Sequence, residues 1–173
     1  MKNIAVFPGS FDPFTIGHEE IVTRGLGLFE RVIVAVGENA GKQEFLDITV
    51  RVELIRQVFR DEPRVSVERY AGMTVDYCER AGASFLLRGL RTAADFEYER
   101  AVGQINRAMN PRVETVFLLT SPQRTFISSS IVKDILLNGG DASSFLPSHV
   151  TREEIMTSIK RGSRSPGGSG RKI

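Results

Sequence analysis

IAVFPGSFDPFTIGHEEIVTRGLGLFERVIVAVG, residues 4–37, runs from an apolar segment through a turn-rich loop and a helical segment into a second apolar run. Ile4–Phe7 reads as a strand. Two glycines and two prolines between Pro8 and His18 then exclude a regular element. Gly17–Phe29 has helical period, with Ile21, Val22, Leu26 and Phe29 on one side. Val32–Val36 is almost continuously apolar, as a parallel strand buried on both faces should be. Strand, helix, strand in so short a span predicts a right-handed parallel crossover.

The alternation continues to the end of the chain. Strands are expected at Val65–Tyr70, Phe85–Leu87 and Thr115–Leu119. Helices are expected at Thr49–Phe59, Thr74–Ala81, Ala93–Met109, Ile131–Leu137 and Arg152–Lys160. Gly82, Asn110-Pro111 and Gly139-Gly140 act as stops. The pattern predicts an α/β fold: a Rossmann-like, doubly wound, five-stranded parallel sheet with helices on both faces. One domain over residues 1–161 is expected, with a disordered Gly/Ser-rich basic tail at 162–173.

At 173 residues and 41% hydrophobic, the chain can bury one good core. No apolar run reaches the ~20 residues that span a bilayer, and Met1-Lys2-Asn3 lacks a secretory pattern. A single cysteine, Cys78, allows no internal disulfide, so a reducing cytoplasm and a core role for that thiol are expected. The pI near 8.9 belongs to the tail. Without Arg164, Arg171 and Lys172 the chain carries 20 basic against 21 acidic residues, so no nucleic-acid partner is expected.

In doubly wound sheets, ligands gather beyond the carboxyl ends of the strands, where the strand order reverses. Strand one there delivers Gly9-Ser10-Phe11-Asp12 and Thr15-Ile16-Gly17-His18, and strand two leads to Lys42. Strand four delivers Arg88-Gly89-Leu90-Arg91, and strand five leads to Ser128-Ser129-Ser130 at a helix start. Cations, glycines that let backbone approach, and helix N-termini with free N–H groups suit phosphate groups. Taken singly, each has a plainer reading. Gly9 can serve a turn, His18 can pack or cap, and Ser128–Ser130 can be ordinary capping. Arg88 and Arg91 can be surface arginines paired with Asp95 and Glu99, and Lys42 a loop lysine. Only their shared position at one sheet edge favours the site. No Walker A lysine, GxGxxG fingerprint, zinc spacing or nucleophile elbow is present.

The stretch GSFDP (9–13) with TIGH (15–18) resembles the HxGH nucleotidyltransferase signature, with Thr15 in place of the first histidine. RGLR (88–91), ADFEYE (94–99) and FISSS (126–130) complete a set that resembles the bacterial phosphopantetheine adenylyltransferase family, over about residues 2–160. The resemblance implies transfer of AMP from ATP to 4′-phosphopantetheine, giving dephospho-coenzyme A and pyrophosphate. It also implies Mg2+, a homohexamer and feedback by coenzyme A.

By the same resemblance His18, Lys42, Arg91 and Ser129 are catalytic, and Ser10, Lys42, Thr74 and Arg88 hold the phosphopantetheine. Ser10, Phe11, His18, Gly89, Leu90, Arg91, Glu99 and the run Arg124, Thr125, Phe126, Ile127, Ser128, Ser129 and Ser130 hold ATP. No metal ligand is assigned. Ser10 stands where the family usually has Thr, and Arg124 where some relatives carry an aromatic. Three rivals remain: transfer to nicotinamide mononucleotide or of CMP to an alcohol phosphate, a non-catalytic nucleotide sensor, and a nucleic-acid binder.

Overall fold

Five strands, β1 (Ile4–Gly9), β2 (Arg31–Gly37), β3 (Val65–Tyr70), β4 (Phe85–Leu90) and β5 (Glu114–Leu119), alternate with helices. These are α1 (Ile16–Gly25), α2 (Ile48–Val58), α3 (Thr74–Arg80), α4 (Ala93–Met109), α5 (Ser129–Leu137) and α6 (Arg152–Gly162). The computed structural model describes residues 3–38 and 44–162. Lys42 and residues 163–173 of the expected tail lie outside them. All strand pairs are parallel, in the order β3-β2-β1-β4-β5, as the α/β reading requires.

Alternate residues of the central strands face opposite layers. Ala5, Phe7, Val34, Val36 and Leu87 pack against Ile21 and Val22 of α1, Ile55 of α2, Leu136 of α5 and Ile155 of α6. Ile4, Val6, Ile33, Ala35 and Leu86 pack on the other side with Val75, Tyr77 and Cys78 of α3. Burying each large apolar side chain contributes about 1.5–3 kcal/mol. This double core, not the loops, therefore holds the fold, and the loops at the carboxyl edge are free to carry polar groups.

The strand order reverses between β1 and β4, and the pairing there is incomplete. Only Ala5↔Phe85 and Val6↔Leu86 are in register, although β1 continues to Gly9 and β4 to Leu90. Beyond Val6 and Leu86 the two strands part. β1 stays laddered to β2 as far as Gly9↔Val36, and β4 to β5 as far as Leu90↔Leu119. A crevice opens between the carboxyl ends of β1 and β4, at the switch point where ligands are expected.

Several element boundaries shift from expectation by one or two residues, and two shift by more. β4 extends through Arg88 and Gly89, which interrupt its apolar run but keep their ladder partners Phe117 and Leu118. Helix α1 stops at Gly25 rather than Phe29. A Cβ on Gly25 would stand 2.7 Å from Leu87 Cδ2, and the apolar period runs on only because Phe29 enters the core from the following turn. No helix among the described residues is long and apolar enough to cross a membrane.

Gly89 is a second point where α1 lies close on the sheet, for a Cβ there would meet Ile21 Cγ1 at 2.9 Å. Gly89→Val should push the helix outward and cost about 1–3 kcal/mol. Urea denaturation would measure this, and unchanged stability would contradict the packing.

Candidate active site

Two cavities flank the crevice. The first, about 340 Å³, is lined by β1 and its loop, α1, β4, and the entry to α5. The second, about 470 Å³, lies towards β3, α3 and α4. They share one wall made of Pro8, Gly9, Ser10, Arg88 and Glu99. Arg88 builds much of that wall: Nη1 donates to the Pro8 carbonyl at 2.7 Å, bridging the parted strands, and Nε donates to Glu99 at 2.9 Å. A second Arg88 nitrogen also engages Glu99.

His18 sits at the start of α1 on the first cavity. The Thr15 amide donates to His18 Nδ1 at 3.0 Å, and the Thr15 hydroxyl lies 3.1 Å from the same nitrogen. In return the His18 amide donates to the Thr15 carbonyl at 3.0 Å. An amide N–H can only donate, so Nδ1 carries the lone pair and a neutral ring carries its proton on Nε2. Burial, then the charges of Arg91 and Arg88, push the His18 pKa down to about 3. The ring is therefore a neutral hydrogen-bond donor at physiological pH, not a cation and not a base. Phe7, Phe11 and Phe14 surround it, with centroids 5.1–6.2 Å away.

The loop before α1 is tightly determined. Phe11 adopts φ 49°, the left-handed region unusual for a side-chain-bearing residue, and its ring fills the space that a Cβ on Gly9 would need, at 2.7 Å. Arg51, almost fully buried, donates to the Ser10 carbonyl at 2.7 Å and the Leu46 carbonyl at 2.9 Å. Asp12 accepts from the Phe45 and Leu46 amides at 2.7 and 2.8 Å. Ser129 closes the loop from the opposite side by donating to the Pro13 carbonyl at 2.9 Å.

Of the sequence-derived candidates, Ser10, Phe11, His18, Gly89, Arg91, Glu99, Arg124, Ile127, Ser128, Ser129 and Ser130 line the first cavity. Ser10, Thr74, Arg88 and Glu99 line the second. Three fall elsewhere. Leu90 is buried, Thr125 donates to the Pro122 carbonyl at 3.1 Å, and Phe126 is exposed and packs edge-on against Phe145. Lys42 lies outside the described residues. The plain reading of the arginines also holds, since Arg91 pairs with Asp95 at 3.0 Å while Arg88 pairs with Glu99. Surface pairing and cavity lining are the same arrangement.

Glu38, Tyr70 and Tyr98 of the second cavity were missed. The first two could have been found, because they stand at or just beyond the ends of β2 and β3, where the strand-end rule points. Tyr98, Val102 and Asn106 recur at four-residue spacing on α4 beside Glu99 and Gly103, a stripe hidden by the polar composition of that helix. Among the described residues no group of three or more His, Cys, Asp or Glu side chains could hold a metal ion. Asp95 and Glu99, the carboxylates on the first cavity, are both taken by arginines, so the described residues of that cavity offer no carboxylate cage for magnesium.

Comparison with known proteins speaks to the fold and to kinship. Residues 6–135 match the cytidylyltransferase-like family model. The phosphopantetheine adenylyltransferase of Flavobacterium psychrophilum is 49% identical over 84% of this chain and 96% of its own. That of Caldanaerobacter subterraneus subsp. tengcongensis is 43% identical over 91% and 98%. A crystal structure of a bifunctional NMN adenylyltransferase/ADP ribose pyrophosphatase from Francisella tularensis superposes with a TM-score of 0.69. It is 16% identical, and the match covers 92% of this chain and half of that one, so it speaks for the fold alone. Near-complete alignment at close to half identity settles the matter of kinship: the chain belongs to the phosphopantetheine adenylyltransferase family.

Proposed function

We propose that this protein transfers the adenylyl group of ATP to the phosphate of 4′-phosphopantetheine, giving dephospho-coenzyme A and pyrophosphate. The observation that carries the reading is the shared wall: two cavities meet at Ser10 and Arg88, with His18 beside them. ATP takes the first cavity and 4′-phosphopantetheine the second. The acceptor phosphate then faces the α-phosphorus across that wall.

A phosphomonoester with a second pKa near ~6 is largely dianionic at neutral pH and needs no protein base. Its oxygen forms a bond to the α-phosphorus while the bond to the bridging oxygen of the leaving pyrophosphate breaks. Neutral His18 donates from Nε2–H to the α-phosphate as charge gathers there. Arg91 and the start of α5, with Ser129 and Ser130, hold the β- and γ-phosphates. Arg88 and Ser10 hold the acceptor phosphate, Thr74 contacts the pantetheine arm, and Lys42 adds a cation by resemblance to the family. Catalysis rests on positioning and charge stabilisation. Magnesium is proposed as a counter-ion carried by the triphosphate, offsetting its charge, with no protein carboxylate assigned to it.

The proposed setting is cytoplasmic, the proposed assembly a homohexamer, and coenzyme A the proposed feedback ligand. Support for assembly comes from α4, whose 17 residues include none that is buried. Phe96, Tyr98, Ile105 and Met109 on that helix, and Leu119 at the edge of the sheet, are exposed apolar side chains that a second copy would cover. Sedimentation velocity should find a hexamer; a monomer at working concentration would remove this part.

The activity itself is tested by mixing the protein and ATP with each acceptor. Dephospho-coenzyme A and pyrophosphate should form with 4′-phosphopantetheine, and no adduct with nicotinamide mononucleotide or from CTP. His18→Ala should lower kcat by about 10²–10³ while ATP binding changes little. ATP binding without product from any acceptor would leave a sensor, not an enzyme.

A further inference from the structure

Glu20 lies outside both cavity walls, yet its carboxylate accepts three hydrogen bonds and faces a second guanidinium. Oε1 accepts from the Ser121 amide at 3.1 Å and from Arg24 Nη1 at 2.8 Å. Oε2 accepts from the Ser121 hydroxyl at 2.8 Å and stands 3.5 Å from Arg124 Nη1. The side chain is only 11% exposed. Burial pushes its carboxyl up, but the Ser121 hydroxyl, Arg24, the Ser121 amide and Arg124 outweigh that and hold it below the usual carboxylate range.

These donors lead into the site. Arg24 donates onward to the Leu119 carbonyl at 2.6 Å, so α1 grips the last residue of β5. Thr120, next along, donates its amide to the Leu90 carbonyl at 2.8 Å and lines the first cavity. Arg124 also lines it, and its Nη1 donates to the Ile16 carbonyl at 2.9 Å. The guanidinium plane is thereby fixed from one edge, by a carboxylate and a carbonyl that both belong to α1. The helix that carries His18 also sets the loop from Ser121 to Ile127.

We propose that Glu20 is a positioning residue for the nucleotide half of the site: it locks the β5–α5 loop and Arg124 to α1, so that its loss weakens ATP binding without slowing transfer. The inference rests on reading the first cavity as the ATP pocket. Removal of a charged hydrogen-bonding partner of this kind should weaken ATP binding by about tenfold.

Full-length protein with Glu20→Ala, Glu20→Gln or Ser121→Ala is titrated with ATP by calorimetry and assayed with each substrate varied. Glu20→Ala should raise the ATP Kd and KM together by about tenfold, leaving kcat and the 4′-phosphopantetheine KM within about twofold of wild type. Glu20→Gln keeps an acceptor for Ser121 but loses the charge facing Arg24 and Arg124, and should fall between. Ser121→Ala removes one donor and keeps the carboxylate; it should raise the ATP KM alone, and carries the test if Glu20→Ala does not fold. Adding Arg124→Ala to Glu20→Ala should cost less than the two separate losses combined. Wild-type ATP affinity in a folded variant overturns the inference, as does a variant whose kcat and both KM values worsen together. A wild-type protein that binds no ATP would overturn the pocket assignment itself, a result distinguishable from either.

Discussion

One hydrogen bond decides how this site works. The Thr15 amide donates to His18 Nδ1, and that bond fixes both the orientation of the ring and the nitrogen that holds its proton. Two nearby guanidinium groups and burial then make a protonated ring costly. The histidine is left with one function, donation from Nε2–H. It cannot accept the proton of an incoming nucleophile through Nδ1, because that lone pair is already committed. A nucleophile that arrives deprotonated suits such a site, and a phosphomonoester is one.

The rest of the structure holds that bond in the right place. β1 and β4 are paired for two residues and then part, so the crevice follows from strand register rather than from a long insertion. The Arg88 guanidinium spans the gap to the Pro8 carbonyl. Arg88 and Arg91 are held by carboxylates on α4, which prearranges their donors before any phosphate is bound. The same pairs attach a helix that buries no residue of its own. The walls of the cavities and the seating of α4 therefore draw on the same side chains.

The sheet was legible because apolar, β-branched segments alternate with helical periods, and the site edge because Gly9, Ser10, Arg88, Arg91 and Ser128–Ser130 follow strand ends. The signature histidine was legible from its motif. Other features were not. The extension of β4 through Arg88 and Gly89 depends on a ladder with β5, which no local apolar pattern reports. Leu90, Thr125 and Phe126 sit within motif stretches, but their side chains point away from the cavities, since a motif marks a segment and not the direction of every residue. Tyr98 was hidden on a helix whose polar composition masks its stripe, and Glu20 because its partners Ser121 and Arg124 lie about a hundred residues away in sequence.

The protonation of His18 is what this mechanism turns on. Nitrogen-15 NMR of the folded protein, followed from pH 8 to pH 5, reads it directly. A bare Nδ1, a protonated Nε2 and no titration across that range are the predicted result. A His18 titration with a midpoint near its ordinary ~6.5, or a proton on Nδ1, would contradict it.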